Sequence, residues 1–186
     1  MKDKMKYVYL FLTVVVLVVS LIMANSFGFF EYIRKGINPN RITINSATAN
    51  VVVEIDDNSS LSISRGNAYP VSDEVGRQLN PYVFTIKNLG TRTSFKLRII
   101  NDTDAIIEDG CSDNLLDDVS VRYQLVKDGS IVSENLLSKL NDRVIESGSF
   151  EAKTDYEYEL RLWIDSQAGI EVMNKHFHGK IEVVID

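Results

Sequence analysis

Apolar and polar residues alternate along several stretches of this chain, and this alternation constrains the fold more than any other feature. The longest example runs from Asp155 to Ile164. One face would carry Tyr156, Tyr158, Leu160, Leu162 and Ile164, and the other Glu157, Glu159, Arg161 and Trp163. Successive side chains point to opposite faces in a β-strand. The stretch therefore predicts a strand with one buried face.

Other stretches share this strand character, as short apolar runs between turn residues: Ile42 to Ile55, Leu61 to Ile63, Val83 to Lys87, Thr93 to Asn101, Val121 to Leu125, Ile131 to Val132, Arg143 to Glu146 and Ile181 to Ile185. About eight or nine short strands with turn signals at this spacing predict an all-β fold. We expect an antiparallel immunoglobulin-like or jelly-roll β-sandwich over residues 41–186.

Turn residues suggest how these strands connect. Asn88-Leu89-Gly90 predicts a tight turn between its flanking strands, and Asp128-Gly129 predicts a hairpin. The stretch from Gly66 to Pro81 has few periodic apolar residues and is predicted to be a long loop. A short helix is expected from Asp165 to about Lys175, with three side chains partly buried: Ile170, Val172 and Met173.

Residues 1–30 are predicted to be a membrane segment. No charged side chain occurs from Tyr7 to Phe30, and three lysines precede this run. A helix rising about 1.5 Å per residue crosses a hydrocarbon core of about 30 Å over this length. Positions spread along the anchor are Tyr7, Leu10, Val15, Leu17, Leu21, Phe27 and Phe30. We expect a single-pass anchor in membrane lipid, with the N-terminus inside and the domain outside the cell.

The alternative is a cleaved signal peptide, because small residues stand near Ala24 to Ser26. Cleavage there would release the protein as a secreted subunit. Residues 31–40, which include Gly36 and Pro39, are predicted to form a linker between the membrane segment and the extracellular domain.

The charge and the cysteine content of the chain limit the classes of function and the kinds of stabilisation that are open to it. Residues 31–186 contain 17 basic and 25 acidic residues, a net charge of -8. This excess of acidic residues argues against nucleic-acid binding and suits a solvated domain outside an anionic membrane. Cys111 is the only cysteine, so no intrachain disulfide forms.

Three segments behind the anchor carry a resemblance to a known family. They are ITINSATANV from Ile42 to Val51, PYVFTIKNLGT from Pro81 to Thr91, and LRLWID from Leu160 to Asp165. They resemble the exported β-sandwich proteins of Gram-positive bacteria grouped with the biofilm fibre protein TasA and camelysin. The resemblance implies a jelly-roll or immunoglobulin-like sandwich, export by a dedicated signal peptidase and, in some members, fibre assembly by strand exchange. The long anchor departs from the fibre formers.

Candidate chemistry is sparse. Camelysin-like proteins are described as metallopeptidases, but here only His176 and His178, with Glu171 nearby in sequence, could share a metal, and zinc needs three or four ligands. Ser147-Gly148-Ser149 lacks the residues that flank a nucleophile. Clustered acidic residues could bind calcium through their oxygens, but they lack EF-hand spacing and are predicted to be solvated turns: Asp56 with Asp57, Asp102 with Asp104, and Asp113 with Asp117 and Asp118. We therefore predict no catalytic residue, cofactor or metal ligand.

Trp163 has two readings. It could be a platform on which a ligand stacks, or it could be buried under the helix expected from Asp165 to Lys175 or against another sheet layer. The second reading is the preferred one.

The predicted function is display of the sandwich at the cell surface to a protein partner or to another copy. Strand addition through Ile42 to Ile55 is a candidate mode, with Ile44, Val51, Val52 and Val53 as contact positions. The alternatives are a secreted fibre subunit and, on the histidine pair alone, a metal-dependent peptidase.

Overall fold

Strands dominate the computed structural model, which describes residues 34–35, 41–45, 50–56, 61–64, 69–108 and 114–185. Nearly all the strands pair antiparallel, so the predicted all-β class is confirmed. The predicted anchor and most of the predicted linker lie outside the described residues. Within the described ranges, none of the helices has the length and apolar character needed to cross a membrane.

The strands, numbered in chain order, form two sheets. The first has the order β1 (Arg34–Lys35), β2 (Arg41–Asn45), β3 (Asn50–Ile55), β6 (Tyr82–Asn88), β11 (Thr154–Asp165), β8 (Val121–Lys127) and β9 (Ser130–Leu136), and β5 (Pro70–Val71) pairs parallel with the end of β11. The second has the order β10 (Val144–Phe150), β7 (Thr93–Asn101), β12 (Phe177–Ile185) and β4 (Ser62–Ile63). The remaining pairs between these strands are antiparallel.

One hydrophobic core joins the two sheets. The first sheet contributes, among others, Val51, Val53, Phe84, Ile86, Tyr158 and Leu160, and the second contributes Phe95, Leu97, Ile99, Phe150 and Val183. Aromatic rings meet across the two layers, since the ring centres of Phe150 in β10 and Tyr156 in β11 lie 5.2 Å apart. Burial of these alternating faces is the main favourable contribution to folding.

A partly buried ion pair also connects the sheets. The Lys127 ammonium in β8 lies 3.0 Å from the Glu146 carboxylate in β10 and 4.3 Å from the ring centre of Tyr156. Burial, with a contribution from Glu146, raises the pKa of the Tyr158 hydroxyl above its ordinary value. A buried ammonium needs an opposite charge and favourable contacts. The Lys127–Glu146 pair therefore fixes how β8 faces β10.

The connection between β6 and β7 differs from the predicted turn between paired strands. Both strands form, but β6 belongs to the first sheet and β7 to the second, so the chain crosses between layers at residues 89–92. The buried side chain of Asn88 holds this corner. Its Nδ2 donates to the carbonyl oxygens of Thr91 at 2.7 Å and Glu151 at 2.9 Å, and its Oδ1 accepts from the amide of Gly90 at 3.0 Å.

The hairpin at Asp128-Gly129 is confirmed, with β8 paired to β9. Both turn residues have positive φ, 48° at Asp128 and 78° at Gly129. Two-residue hairpin loops favour this conformation because its twist matches that of the strands.

The predicted helix from Asp165 to Lys175 is wrong. β11 continues through Asp165, whose amide donates to Ser120 O at 2.9 Å, and only one 3-10 turn follows at Ile170–Val172. Ile170 is 87% exposed and Met173 is exposed as well, so only Val172 of the three side chains is buried. Oδ1 of Asp165 accepts from the amide of Gln167 at 2.7 Å, as in a helix cap, but no continuous helix follows.

The predicted long loop from Gly66 to Pro81 is also wrong in part. It contains β5 and a one-turn helix, Asp73–Gly76. A second short helix, Thr103–Glu108, follows β7. Two 3-10 turns, Leu137–Lys139 and Asn141–Arg143, follow β9.

The predicted faces of β11 are right for Tyr158, Leu160 and Ile164, which lie in the core. Leu162 is only half-buried. Trp163, on the opposite face, is 2% exposed. A Cβ atom built on Gly76 would lie 2.3 Å from Cδ2 of Trp163, so the helix Asp73–Gly76 packs directly on the indole. Trp163 is therefore buried, as preferred from the sequence, but under a different helix.

Candidate functional site

The two ends of the domain differ in the length of their connections. Strand registers place the short connections at one end, here called the turn end: residues 46–49, 89–92, 128–129 and 151–153. The long connections lie at the opposite end, here called the loop end: residues 56–81, 102–120, 137–143 and 166–176. Binding residues are concentrated on long loops held by a rigid scaffold. Binding residues are therefore expected at the loop end.

The loop end also carries the excess negative charge. The described parts of its four long connections contain 10 acidic and four basic residues, whereas the short connections of the turn end contain two of each. The described residues of the loop end therefore carry a net negative charge that the turn end lacks. A field of one sign at one end favours encounters with oppositely charged partners.

A groove of about 600 Å³ opens at the loop end between the edges of the two sheets. Its walls come from β4, from the segment around β5, from the turn before β6 and from the last residues of β11. Apolar side chains form most of the lining, among them Ile63, Tyr69, Val71, Leu79, Leu162 and Ile164. Ser62, Ser64 and Asn80 add polar groups, and none of the described residues that line the groove is charged. Tyr69 and Leu79 are 58% and 40% exposed.

The groove coincides with an interruption in the pairing of β11. The ladder between β11 and β6 ends at Leu160 opposite Tyr82, and the ladder with β5 begins at Ile164 opposite Pro70. Between these pairs, no strand in the described part of the chain flanks Leu162 on this side.

The main-chain groups of Leu162 point into this interruption. The amide of Asp165 donates to Ser120 O, and Glu157 O accepts from the amide of Asp128, so odd-numbered residues of β11 face β8. Main-chain polar groups alternate sides along a strand. The N–H and C=O of Leu162 therefore face the groove.

One wall of the groove includes Trp163, which a polar network holds in place. Its Nε1 donates to Oδ1 of Asp73 at 3.2 Å, and the same oxygen lies 3.0 Å from Nε of Arg122 in a salt bridge. Arg122 also donates through Nη1 to Asp165 at 3.0 Å. Burial would raise the pKa of Asp165, but the amide of Gln167 and the Arg122 guanidinium outweigh it and lower the pKa below its ordinary value. Asp165 therefore stays ionised and anchors Arg122.

A second pair of contacts fixes the turn that follows the helix. Arg77 donates through Nη2 to Glu134 of β9 at 2.6 Å, and Glu134 also accepts from Nε2 of Gln124 at 2.7 Å. The hydrogen bond from Arg77 lowers the pKa of Glu134 below its ordinary value. Arg161 of β11 donates to the carbonyl oxygen of Leu79 at 3.0 Å. These bonds hold Leu79 at the rim of the groove.

The two histidines lie close together at the loop end. The ring centres of His176 and His178 are 5.2 Å apart, and His176 is buried. Glu171 accepts from the amide of Gly169 at 3.0 Å, within its own turn. Within the described ranges, no three His, Cys, Asp or Glu side chains are grouped as metal ligands would be. Ser147, Gly148 and Ser149 lie exposed on β10.

Several of the predicted acidic turns form salt bridges. Asp118 pairs with Arg143, Asp117 lies 3.6 Å from Lys175, and Asp102 lies 3.8 Å from Lys180. Cys111, Asp57 and Asp113 lie outside the described residues.

The predicted interaction segment occupies β2 and β3. Ile44, Val51, Val52 and Val53 are all buried. β3 is an interior strand, paired with β2 on one side and β6 on the other, and β2 pairs with β1 over two residues. Any strand addition by this segment would therefore use the outer side of β2 or require β3 to leave its sheet.

Sequence reasoning missed the groove. The available signal was the difference in length between β11, with 12 residues, and β6, with seven. Pro81 directly precedes β6, and proline at a strand start marks where pairing begins. Comparison with known protein families, characterised proteins and solved structures yields no match to this chain.

Proposed function

We propose that this protein is a membrane-anchored cell-surface protein that displays the loop end of a β-sandwich to a protein partner. The sandwich would be of the immunoglobulin-like or jelly-roll type, as the resemblance to the TasA and camelysin group implies. The single observation that carries this proposal is that the chain enters the domain at the end opposite the long connections.

The register of β1 supports this orientation. Arg34 pairs with Thr43 and Lys35 with Ile42, so β1 runs from the turn end toward the loop end. Three residues separate Phe30 from Arg34, and an extended chain covers at most about 3.6 Å per residue. An anchor ending at Phe30 would thus hold the turn end close to the membrane and the loop end away from it.

Charge supports the same orientation. The turn end is neutral in its connections, and the loop end is strongly acidic. Anionic lipid headgroups repel negative charge within about one Debye length, roughly 8–10 Å. A loop end directed away from the bilayer avoids this repulsion and remains accessible to partners.

Site-specific labelling on intact cells tests the orientation. The parent is the full chain with Cys111→Ser, and it carries either Ile170→Cys at the loop end or Leu89→Cys at the turn end, where Leu89 is 51% exposed. We expect an impermeant maleimide to label Ile170→Cys on intact cells. A bulky polymer maleimide should label Leu89→Cys more slowly than Ile170→Cys. Labelling of Ile170→Cys only after lysis would overturn the proposal.

The alternative function, a secreted fibre subunit, predicts a different mature protein. Cleavage near Ala24 to Ser26 would remove most of the apolar run and leave the domain free of the membrane. Intact-mass measurement on the membrane fraction separates the two functions. A full-length mass supports the anchor, whereas a mass that begins near Ser26 supports release.

A further inference from the structure

We propose that the groove at the loop end binds an extended, cationic segment of a protein partner, with one large apolar side chain seated against Leu162 and Leu79. This inference rests on the proposed function and names the surface and the chemistry of its partner. Three features of the groove carry it, namely its lining, the main-chain groups of Leu162 and the charge around it.

The lining of the groove favours insertion of an apolar side chain from the partner. The groove is walled by Ile63, Val71, Leu79 and Leu162, with the exposed ring of Tyr69 at its rim. An aromatic or aliphatic side chain that enters would remove apolar surface from water on both partners. Since none of the described lining side chains is charged, a charged group inserted among them would be desolvated without a counter-charge. The inserted side chain is therefore apolar.

The interruption in the ladder selects an extended main chain. The N–H and C=O of Leu162 face the groove between the end of β6 and the start of β5, where no described strand flanks them. An extended segment can supply the matching acceptor and donor, as peptides do when they pair with a sheet edge. A single residue of the partner fits this interruption. The main-chain contact therefore sets the register of the anchoring side chain.

The surrounding charge selects a cationic segment. The described parts of connection 102–120 carry five acidic residues and no basic one, and Leu115 in this connection forms a bridge with His176 beside β4, on the groove side. Lysine or arginine residues of the partner that flank the inserted apolar side chain would lie over this acidic surface. Such complementary charge mainly raises the association rate and excludes acidic competitors.

Intrinsic fluorescence tests the proposal, because the only tryptophan of the chain, Trp163, lines the groove. The full chain is kept in micelles of an uncharged detergent. The probe is a capped seven-residue peptide of alternating lysine and threonine with phenylalanine at its centre. Two matched peptides replace the phenylalanine by serine or all lysines by glutamate. The amide resonance of Leu162, followed by NMR, reports the main-chain contact.

We expect the first peptide to change the Trp163 emission and to shift the Leu162 amide. Both matched peptides should bind at least about tenfold more weakly, which corresponds to 1.4 kcal/mol. Leu79→Ser should weaken binding of the first peptide about tenfold, since it removes an anchor contact without touching the core. Leu89→Ser at the turn end is the control and should bind like the parent.

Several outcomes would overturn the proposal. If the first peptide leaves both the Trp163 emission and the Leu162 amide unchanged, the groove is not a peptide site. Equal binding of the lysine and glutamate peptides would show that the groove does not select a cationic segment. If the chain alone self-associates and Leu79→Ser abolishes this, the occupant is a second copy. Each of these results is independent of the labelling on cells, so the groove can fail while the displayed orientation holds.

Discussion

Replacement of Gly76 by alanine tests the packing that shapes the groove. In an ordinary exposed helix this change stabilises the protein, because alanine favours the helical conformation over glycine by up to about 1 kcal/mol. Here an added Cβ would lie 2.3 Å from Cδ2 and 2.5 Å from Cε2 of the buried Trp163 indole. Because the added methyl group meets the ring itself and not the end of a flexible side chain, the change costs either an overpacked contact or the docking of the helix, so the sign of the effect should reverse.

Two routes of relaxation lead to a similar cost. If the helix stays docked, overpacking against the indole costs about 1–3 kcal/mol. If the helix lifts, Trp163 loses its hydrogen bond to Asp73, and Arg122 loses a salt-bridge partner. A hydrogen bond to a charged group is worth about 1.5–3 kcal/mol. We therefore expect Gly76→Ala to lower the free energy of unfolding by about 2 kcal/mol.

Denaturant unfolding followed by fluorescence and circular dichroism measures this effect, and Trp163 is the only tryptophan. The emission of Gly76→Ala should also shift to longer wavelength as the indole meets water. Gly148→Ala is the control, because its Cβ would meet only Phe95 at an ordinary 3.7 Å. A Gly76→Ala protein with unchanged emission and equal or greater stability would refute the docking of this helix on Trp163.

Three further changes test other contacts by denaturant unfolding. Asn88→Ala should cost about 2–4 kcal/mol, because buried carbonyl oxygens at the corner lose their donor; a near-neutral result would contradict the described corner. Leu160→Ala should cost about 2–5 kcal/mol and Leu162→Ala clearly less, because only Leu160 is fully buried. Equal losses of stability would contradict this difference in burial. Arg77 lowers the pKa of Glu134, so below about pH 4.3 the unfolded chain binds a proton that the folded protein does not. The free energy of unfolding should fall as the pH drops below this value, and Glu134→Gln should make this dependence on pH less steep. An unchanged dependence in Glu134→Gln would show that Glu134 does not contribute to it.

Local patterns predicted the strands and one hairpin well. The alternation in β7, β8 and β11 depends on neighbours two residues apart, and the structure has each of these strands. Asp128-Gly129 predicted its hairpin because positive φ at both positions is a local requirement of the turn.

Long-range contacts decided what local patterns could not. Asn88-Leu89-Gly90 has the residues of a tight turn, but Asn88 bonds the carbonyl of Glu151, 63 positions away, and so the chain changes sheets. The alternation in β11 places Trp163 on the face opposite the core. A helix that contains Asp73, 90 positions earlier, nevertheless covers the indole and accepts its hydrogen bond. The groove likewise depends on where β6 starts relative to β11, which no single segment encodes.

Proline substitutions can separate strand addition at the edge from exchange of an interior strand. The amide of Leu89 donates to Asn50 O and that of Asp56 to Val83 O, so even-numbered residues of β3, including Val52, face β6. In β2 the odd-numbered residues, including Thr43, face outward, away from β3. Val52→Pro should therefore break an interior ladder and unfold the domain, as circular dichroism would show, because proline removes the donor.

Thr43→Pro leaves the β2–β3 ladder intact and removes an outward amide, which lies opposite Arg34 of the two-residue strand β1 and which an added strand would use in place of β1. We expect this variant to fold like the parent. If the protein self-associates through the outer side of β2, Thr43→Pro should abolish assembly in sedimentation measurements. Assembly that persists in a folded Thr43→Pro protein would exclude this edge, whereas equal unfolding of both variants would mean that the order of β2, β3 and β6 is wrong. The groove needs no such rearrangement, because binding there leaves every described strand pair in place.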